Sequence, residues 1–241
     1  MQRYYIDKIK MSKCQERSYL SRLPVVKYLQ RVGELKLNHA VTFFVGENGT
    51  GKSTLIEAIA ICAGFNAEGG SKNFNFATKN TESDLSRYIT LSKTAHERDG
   101  FFLRAESFYN VASQVDDLLL NLDNYGGKSL HHQSHGESFL ALVQHRFRGH
   151  GLYILDEPES ALSAVRQMTL LAEMKRLVDL RSQFIVATHS PILLAYPEAH
   201  IYQLTSTGIA SVAYEETESY LVTKRFLDRP KQMLNYLFEE D

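Results

Sequence analysis

The octapeptide Gly46-Glu47-Asn48-Gly49-Thr50-Gly51-Lys52-Ser53 fits G-x-x-x-x-G-K-[ST] without a mismatch, and no other stretch of this 241-residue chain constrains its fold as strongly. The apolar run Val41-Thr42-Phe43-Phe44-Val45 leads in as a buried strand, and Ser53 to Ala63 leads out as a helix that Gly64 can stop. Glycines let the backbone wrap closely around phosphate oxygens, while the helix N-terminus aims free N–H groups at them. Lys52 is placed to reach the β- and γ-phosphates and the Ser53 hydroxyl to hold Mg²⁺, with Thr54 in the first helical turn belonging to the same site. A glycine-rich turn matching by chance would lack both the strand before and the helix after.

Around this loop the chain organises as an α/β protein. Residues 1–40 read as short strands broken at Leu23-Pro24, giving N-terminal antiparallel strands beside the loop strand. Residues 66–100 are polar and turn-rich and read as a peripheral lobe or loop. Phe101 to Ala105 returns to strand character. Residues 107–133 offer one short helical insertion, Val111 to Leu122, before a Gly126-Gly127 break. The second half then alternates strand Leu152–Leu155, helix Ala164 to Leu180, strand Gln183–Ala187, a short helix after Pro191 and strand Ile201–Leu204. Such alternation behind a phosphate loop predicts a mainly parallel core sheet covered on both faces. Apolar residues at helical spacing (Leu221, Phe226, Leu227, Leu234, Leu237) predict a packed helical tail over 219–238, interrupted near Pro230. The whole of 1–241 is expected to form a single domain with this lobe and tail attached.

Composition excludes some classes. A formal net charge of −1 rules out a globally basic nucleic-acid binder but not a local basic face. Residues 1–36 carry nine Lys/Arg against Asp7, Glu16 and Glu34, a local charge of +6 that includes Lys8, Lys10 and Lys13. This reads first as the solvated edge of an antiparallel sheet and second as a surface for nucleic acid or a partner protein. Cys14 and Cys62 lie far apart without metal or redox spacing, which suits a reduced cytoplasmic protein. No apolar run approaches the ~20 residues that span a bilayer, so a soluble chain without direct membrane insertion is expected.

A second chemical feature lies downstream. Leu152-Tyr153-Ile154-Leu155 ends in Asp156-Glu157. A buried strand puts Asp156 at the edge of the sheet, where it can join the Mg²⁺ shell, and points Glu157 to the γ-phosphate to orient or deprotonate the attacking water. Ser134-His135-Gly136-Glu137-Ser138 precedes a helical run, Phe139 to Phe147, and starts 22 residues before Asp156. Serine, glycine and a helix N-terminus suit an anion site. Taken alone, the same residues describe an ordinary serine cap.

In order and spacing these elements resemble the ABC-type ATPase superfamily, in its soluble branch of SMC- and RecF-like proteins. The S-x-G-E form of residues 134–137 is similar to the signature of the DNA-repair members. Phe102-Leu103-Arg104-Ala105-Glu106-Ser107 and Phe226-Leu227-Asp228-Arg229-Pro230 are similar to stretches in compact predicted AAA-type ATPases. The resemblance implies ATP and Mg²⁺ as ligands, a D-loop carrying Ser160 and Ser163, and a switch histidine at His189. It also implies an ATP-dependent head-to-tail homodimer, in which Ser134, Gly136, Glu137 and Ser138 of one subunit close over ATP held by the other. Members usually place a Gln at the metal after the strand that follows the loop helix; here no Gln lies between Gln30 and Gln114, and Glu106 is the candidate in its place. Tyr28 is the candidate adenine platform.

The expected function is ATP hydrolysis by a soluble dimer serving a DNA-linked or defence-type process. Two alternatives stand beside it: the ATP-binding subunit of a transporter, and a nucleotide-gated interaction module without significant turnover. Residues 107–133 are short for the helical lobe that grips a membrane partner, and no heptad run supplies a coiled-coil arm. The intact Asp156, Glu157 and His189 set argues against the module.

Overall fold

The structure, a computed structural model, describes residues 4–14, 19–72, 84–104 and 134–238. In chain order its strands are β1 (Ile6–Met11), β2 (Glu34–Lys36), β3 (Val41–Gly46), β4 (Ile89–Lys93), β5 (Asp99–Arg104), β6 (Gly151–Asp156), β7 (Gln183–Ala187), β8 (His200–Thr205) and β9 (Gly208–Val212). Its helices are α1 (Pro24–Val32), α2 (Lys52–Ala63), α3 (His135–Ala141), α4 (Ala164–Asp179), α5 (Pro191–Leu194), α6 (Glu218–Asp228) and α7 (Pro230–Phe238). The central sheet has the order β5-β6-β7-β3-β8-β9, parallel throughout except for the β8–β9 hairpin. A second, antiparallel sheet has the order β2-β1-β4.

The parallel strands read as near-continuous apolar runs because both faces are buried. Their alternate residues feed two cores. Phe44, Phe102, Leu152 and Ile154 point toward α2, α1 and the antiparallel sheet, where Ile6, Ile9, Leu20 and Leu29 complete one cluster. Phe43, Phe101, Tyr153 and Leu155 point the other way, onto Phe139 of α3 and Leu170, Met174 and Leu177 of α4. The loop helix α2 is therefore held between two sheets. This burial is why Leu55, Ile56, Ala58, Ile59 and Ala60 form an almost wholly apolar helix.

One side-chain amide fastens the two sheets together. Gln183, buried at the start of β7, accepts hydrogen bonds from the Tyr5 and Ile6 amides at 3.0 and 2.9 Å. Its amide nitrogen donates to the Ile6 and Leu37 carbonyls at 2.9 and 2.7 Å.

Several expectations need correcting. Residues 24–32 are helix rather than strand: Pro24 occupies the first helical turn, where its missing N–H costs nothing, and Val25, Val26 and Leu29 are buried on one face. The polar stretch 66–100 is not all peripheral, since Ile89–Lys93 is an ordered strand of the antiparallel sheet. The tail does break at Pro230, but α6 and α7 bury none of their residues; Leu221 is 52% exposed and Leu227 and Leu237 are each 70% exposed. Helical spacing of apolar residues sets a stripe without supplying a surface to cover it. Glu106, the helix expected over Val111–Leu122 and the rest of 107–133 lie outside the described residues.

Candidate active site

The C-terminal ends of β3, β7 and β6 lie side by side, and the candidate residues follow from what each strand carries past its edge. From β3 the chain enters the glycine loop. Gly46 has φ +143° and pairs in register with Leu204 of β8; a Cβ there would stand 2.1 Å from the Leu204 carbonyl oxygen. Gly51 has φ +97°, and a Cβ would lie 2.4 Å from Val25 Cγ1 of α1. No L side chain fits either place without moving backbone or core. α1 thus braces the loop, with the Val25 amide donating to the Thr50 carbonyl at 3.3 Å.

Within the loop the Thr50 hydroxyl donates to the Glu47 carbonyl at 2.8 Å. The Lys52 ammonium turns back onto the Gly46 and Glu47 carbonyls, at 2.7 and 3.0 Å. Burial pushes its pKa down, while the carboxylates of Glu157, Asp156 and Glu159 pull it up. The lysine is thus a partly desolvated cation facing three acids. Glu47, Asn48 and Gly49 are exposed, and Ser53 and Thr54 are half-buried in the first turn of α2.

β6 delivers the acids. Every residue of Gly151–Asp156 is buried, and Asp156 pairs in register with Ala187 of β7 and Arg104 of β5. Glu157 follows with φ +50°, its amide donating to the Ala187 carbonyl at 2.9 Å. That turn brings its carboxylate out of the sheet, 41% exposed and 3.7 Å from His189 Nε2. β7 carries the histidine, and β7 lies between the glycine-loop strand and the acidic strand.

The residues after Glu157 hold this geometry. The Ser160 hydroxyl donates to the Glu157 carbonyl at 2.8 Å, and Ser163 caps α4 by accepting from the Arg166 amide at 3.4 Å. Glu159 accepts from the Thr188 hydroxyl at 2.8 Å and from the His189 amide at 2.5 Å. Ser190 caps α5 and donates to Gln167 of α4 at 2.5 Å. The loop after β6 and the loop after β7 are thereby joined by side chains, with His189 between them.

Ser134 precedes α3, and its carbonyl accepts from the Glu137 amide at 2.9 Å. Glu137 accepts from the Ser134 amide at 3.0 Å and from its hydroxyl at 2.7 Å. Ser138 is buried and donates to the Ser134 carbonyl at 3.1 Å. Gly136 is buried beside the Ala161 carbonyl and Arg166.

A cleft of about 340 Å³ joins Ser53, Asp156, Glu157 and Ser160 to Arg104 and His135. Ser53 and Asp156 are hard oxygen donors of the kind Mg²⁺ takes from protein when phosphates supply the remainder, so the residues fit the ion. Among the described residues no group of three or more His, Cys, Asp or Glu forms an all-protein metal cage. A second cleft, about 290 Å³, lies on the other side of the loop against Gly46, Glu47 and His189 and is closed by Glu218 and Val222 of α6.

Sequence reasoning did not identify Arg104, Glu159 or Arg166. Arg104 ends β5, donates to Glu57 of α2 at 2.9 Å and places Nε 3.7 Å from Asp156. Its signal was a charged residue closing the apolar run Phe101-Phe102-Leu103 beside the acidic strand. Tyr28, the candidate adenine platform, has the Arg31 guanidinium 5.4 Å from its ring centre. On the antiparallel sheet Lys8 stands across from Lys36, and Lys10 across from Glu34, with Lys8 paired to Glu34 at 2.8 Å. Among the described residues no helix is long and apolar enough to cross a membrane.

An AAA-domain family model matches residues 26–125, and a second, described as AAA domain, putative AbiEii toxin, Type IV TA system, matches residues 120–195. No curated protein matches the chain. Among solved structures, CbiO1 from Clostridium perfringens, part of the ABC transporter complex CbiONQ, is similar at 16% identity and TM-score 0.49, over 98% of this chain and 99% of that one. The SMC head domain from Thermotoga maritima is similar at 18% identity and TM-score 0.46, over 87% and 99%. A putative metal-chelate type ABC transporter gives 18% identity and TM-score 0.47, over 90% and 88%. None of these three likenesses adds to what the fold and the family matches say.

Proposed function

We propose that this chain, an ABC/SMC-like P-loop ATPase, binds and hydrolyses ATP in a head-to-tail dimer that ATP itself closes. The observation that carries the reading is the convergence of Lys52, Ser53, Asp156, Glu157 and His189 at adjoining strand ends. Phosphate oxygens of ATP offer Lys52 better acceptors than the two carbonyls it now meets, and they draw it into the loop. Ser53 and Asp156 are the residues that would hold Mg²⁺, which would supply charge neutralisation for the phosphates. Glu157 accepts the proton of the attacking water, while His189, 3.7 Å from that carboxylate, donates to the γ-phosphate. Glu159 fixes the backbone of His189 and so acts as a positioning residue. Ser134, Gly136, Glu137 and Ser138 close the site of the opposite subunit, and hydrolysis releases them.

The process served is DNA-linked or defence-type. The toxin description of the family matching residues 120–195 supports the defence branch. The lysines along β1 and β2 support contact with nucleic acid. Phosphate release by the wild type and by Glu157→Gln, each with and without duplex DNA, tests both levels. Glu157→Gln is expected to keep ATP affinity and to lose turnover by about 10²-fold or more. Wild-type turnover in Glu157→Gln would refute the assignment of the base. An unchanged wild-type rate on adding DNA would refute the DNA-linked branch alone.

A further inference from the structure

Arg166 stands on the first turn of α4, where it meets both polar side chains of the Ser134–Glu137 turn. Its guanidinium lies 3.0 Å from Glu137 Oε1 and 3.3 Å from Ser134 Oγ. At Gly136, between those two residues, a Cβ would come within 2.6 Å of the same guanidinium, so the glycine leaves room for the arginine to lie across the turn. Ser134 and Glu137 do not need this contact in order to form the turn, because the Glu137 carboxylate already takes the Ser134 amide and hydroxyl. The turn nevertheless presents a carboxylate, 54% exposed, to whatever approaches it. The Ser134 hydrogen bonds and then Arg166 hold that carboxyl below the usual range, so it carries its negative charge at neutral pH.

A turn that closes over the γ-phosphate of another subunit cannot present an unneutralised anion to it. We infer that Arg166 is a positioning residue that cancels the charge of Glu137 and holds the Ser134 and Glu137 side chains together, so that the turn can approach a partner's phosphate without repelling it. The inference rests on the two-subunit reading and adds to it a residue 29 positions downstream of Glu137. Loss of the arginine leaves like charges facing each other across the closed interface, which weakens association by about tenfold or more.

The test measures the dimer dissociation constant by sedimentation in saturating Mg²⁺ and ATP, in a Glu157→Gln background. Adding Arg166→Ala is expected to weaken dimerisation by about tenfold or more while ATP affinity of the monomer is retained, because the P-loop of the same chain is untouched. Arg166→Lys should recover part of the loss. Arg166→Ala combined with Glu137→Gln should recover most of it, because the charge needing cancellation has gone. An unchanged dissociation constant in Arg166→Ala overturns the inference, and so does a double variant that stays as weak as Arg166→Ala. If Glu157→Gln itself remains monomeric with ATP, the two-subunit reading fails first and takes the inference with it.

Discussion

Lys52 and the pair His39 and His200 show how single residues store the conditions under which the protein works. Lys52 is a desolvated cation whose charge is supported by Glu157, Asp156 and Glu159 and by two carbonyls of its own loop. The two histidines have no such support. Their rings stack at 4.5 Å, and the Tyr202 ring closes the edge of His200 at 4.4 Å. Burial lowers the pKa of both, and His39 lowers that of His200 further. Each is therefore neutral in the folded state over a range where the unfolded chain, near the ordinary 6.5, takes up protons. Stability is full above that value and is lost as pH falls through it toward the lowered folded values. Urea midpoints should thus fall between pH 7.5 and pH 5.5, and His39→Phe should flatten that fall. An equal slope in His39→Phe would contradict this account of the pair.

At the scale of elements, what was legible in the sequence was whatever a local pattern could carry. β3, the glycine loop and α2 announce themselves through a fixed spacing, and β6 through four apolar residues ending in acids. α4, β7 and β8 follow from simple alternation. α1 was misread because Pro24 serves equally well as a break and as a first helical residue, and only the burial of Val25, Val26 and Leu29 decides between them. Contacts between distant positions left no pattern at all. Arg104 with Asp156, Glu159 with His189 and Arg166 with Glu137 are matters of where separate elements meet. Gln183 belongs to the same class, a polar residue opening an apolar strand whose partners lie about 146 and 177 positions away. Gln183→Leu keeps the volume but leaves the Tyr5 and Ile6 amides without their acceptor. The expected cost is about 3 kcal/mol in urea unfolding, since each buried donor left unsatisfied costs ~1–3 kcal/mol. A loss below about 0.5 kcal/mol would mean that the amide does not fasten the two sheets.

At the scale of the whole molecule, two sheets grip α2 from either side and set the glycine loop at one edge of the central sheet. The cleft there, holding Ser53, Asp156 and Glu157, opens outward. The proposed remedy is the Ser134–Ser138 turn of a second copy, which makes ATP the glue of the pair. A mixing assay tests this most directly. Lys52→Ala removes the loop's cation, and Ser134→Arg fills the turn with a bulky side chain without touching its own P-loop. Neither variant should hydrolyse ATP alone. Mixed, they form a dimer in which one composite site has an intact P-loop and an intact turn, so phosphate release should return to as much as about half of the wild-type rate. No recovery on mixing two folded, separately inactive variants would contradict the account, and so would a Ser134→Arg variant that hydrolyses ATP normally by itself.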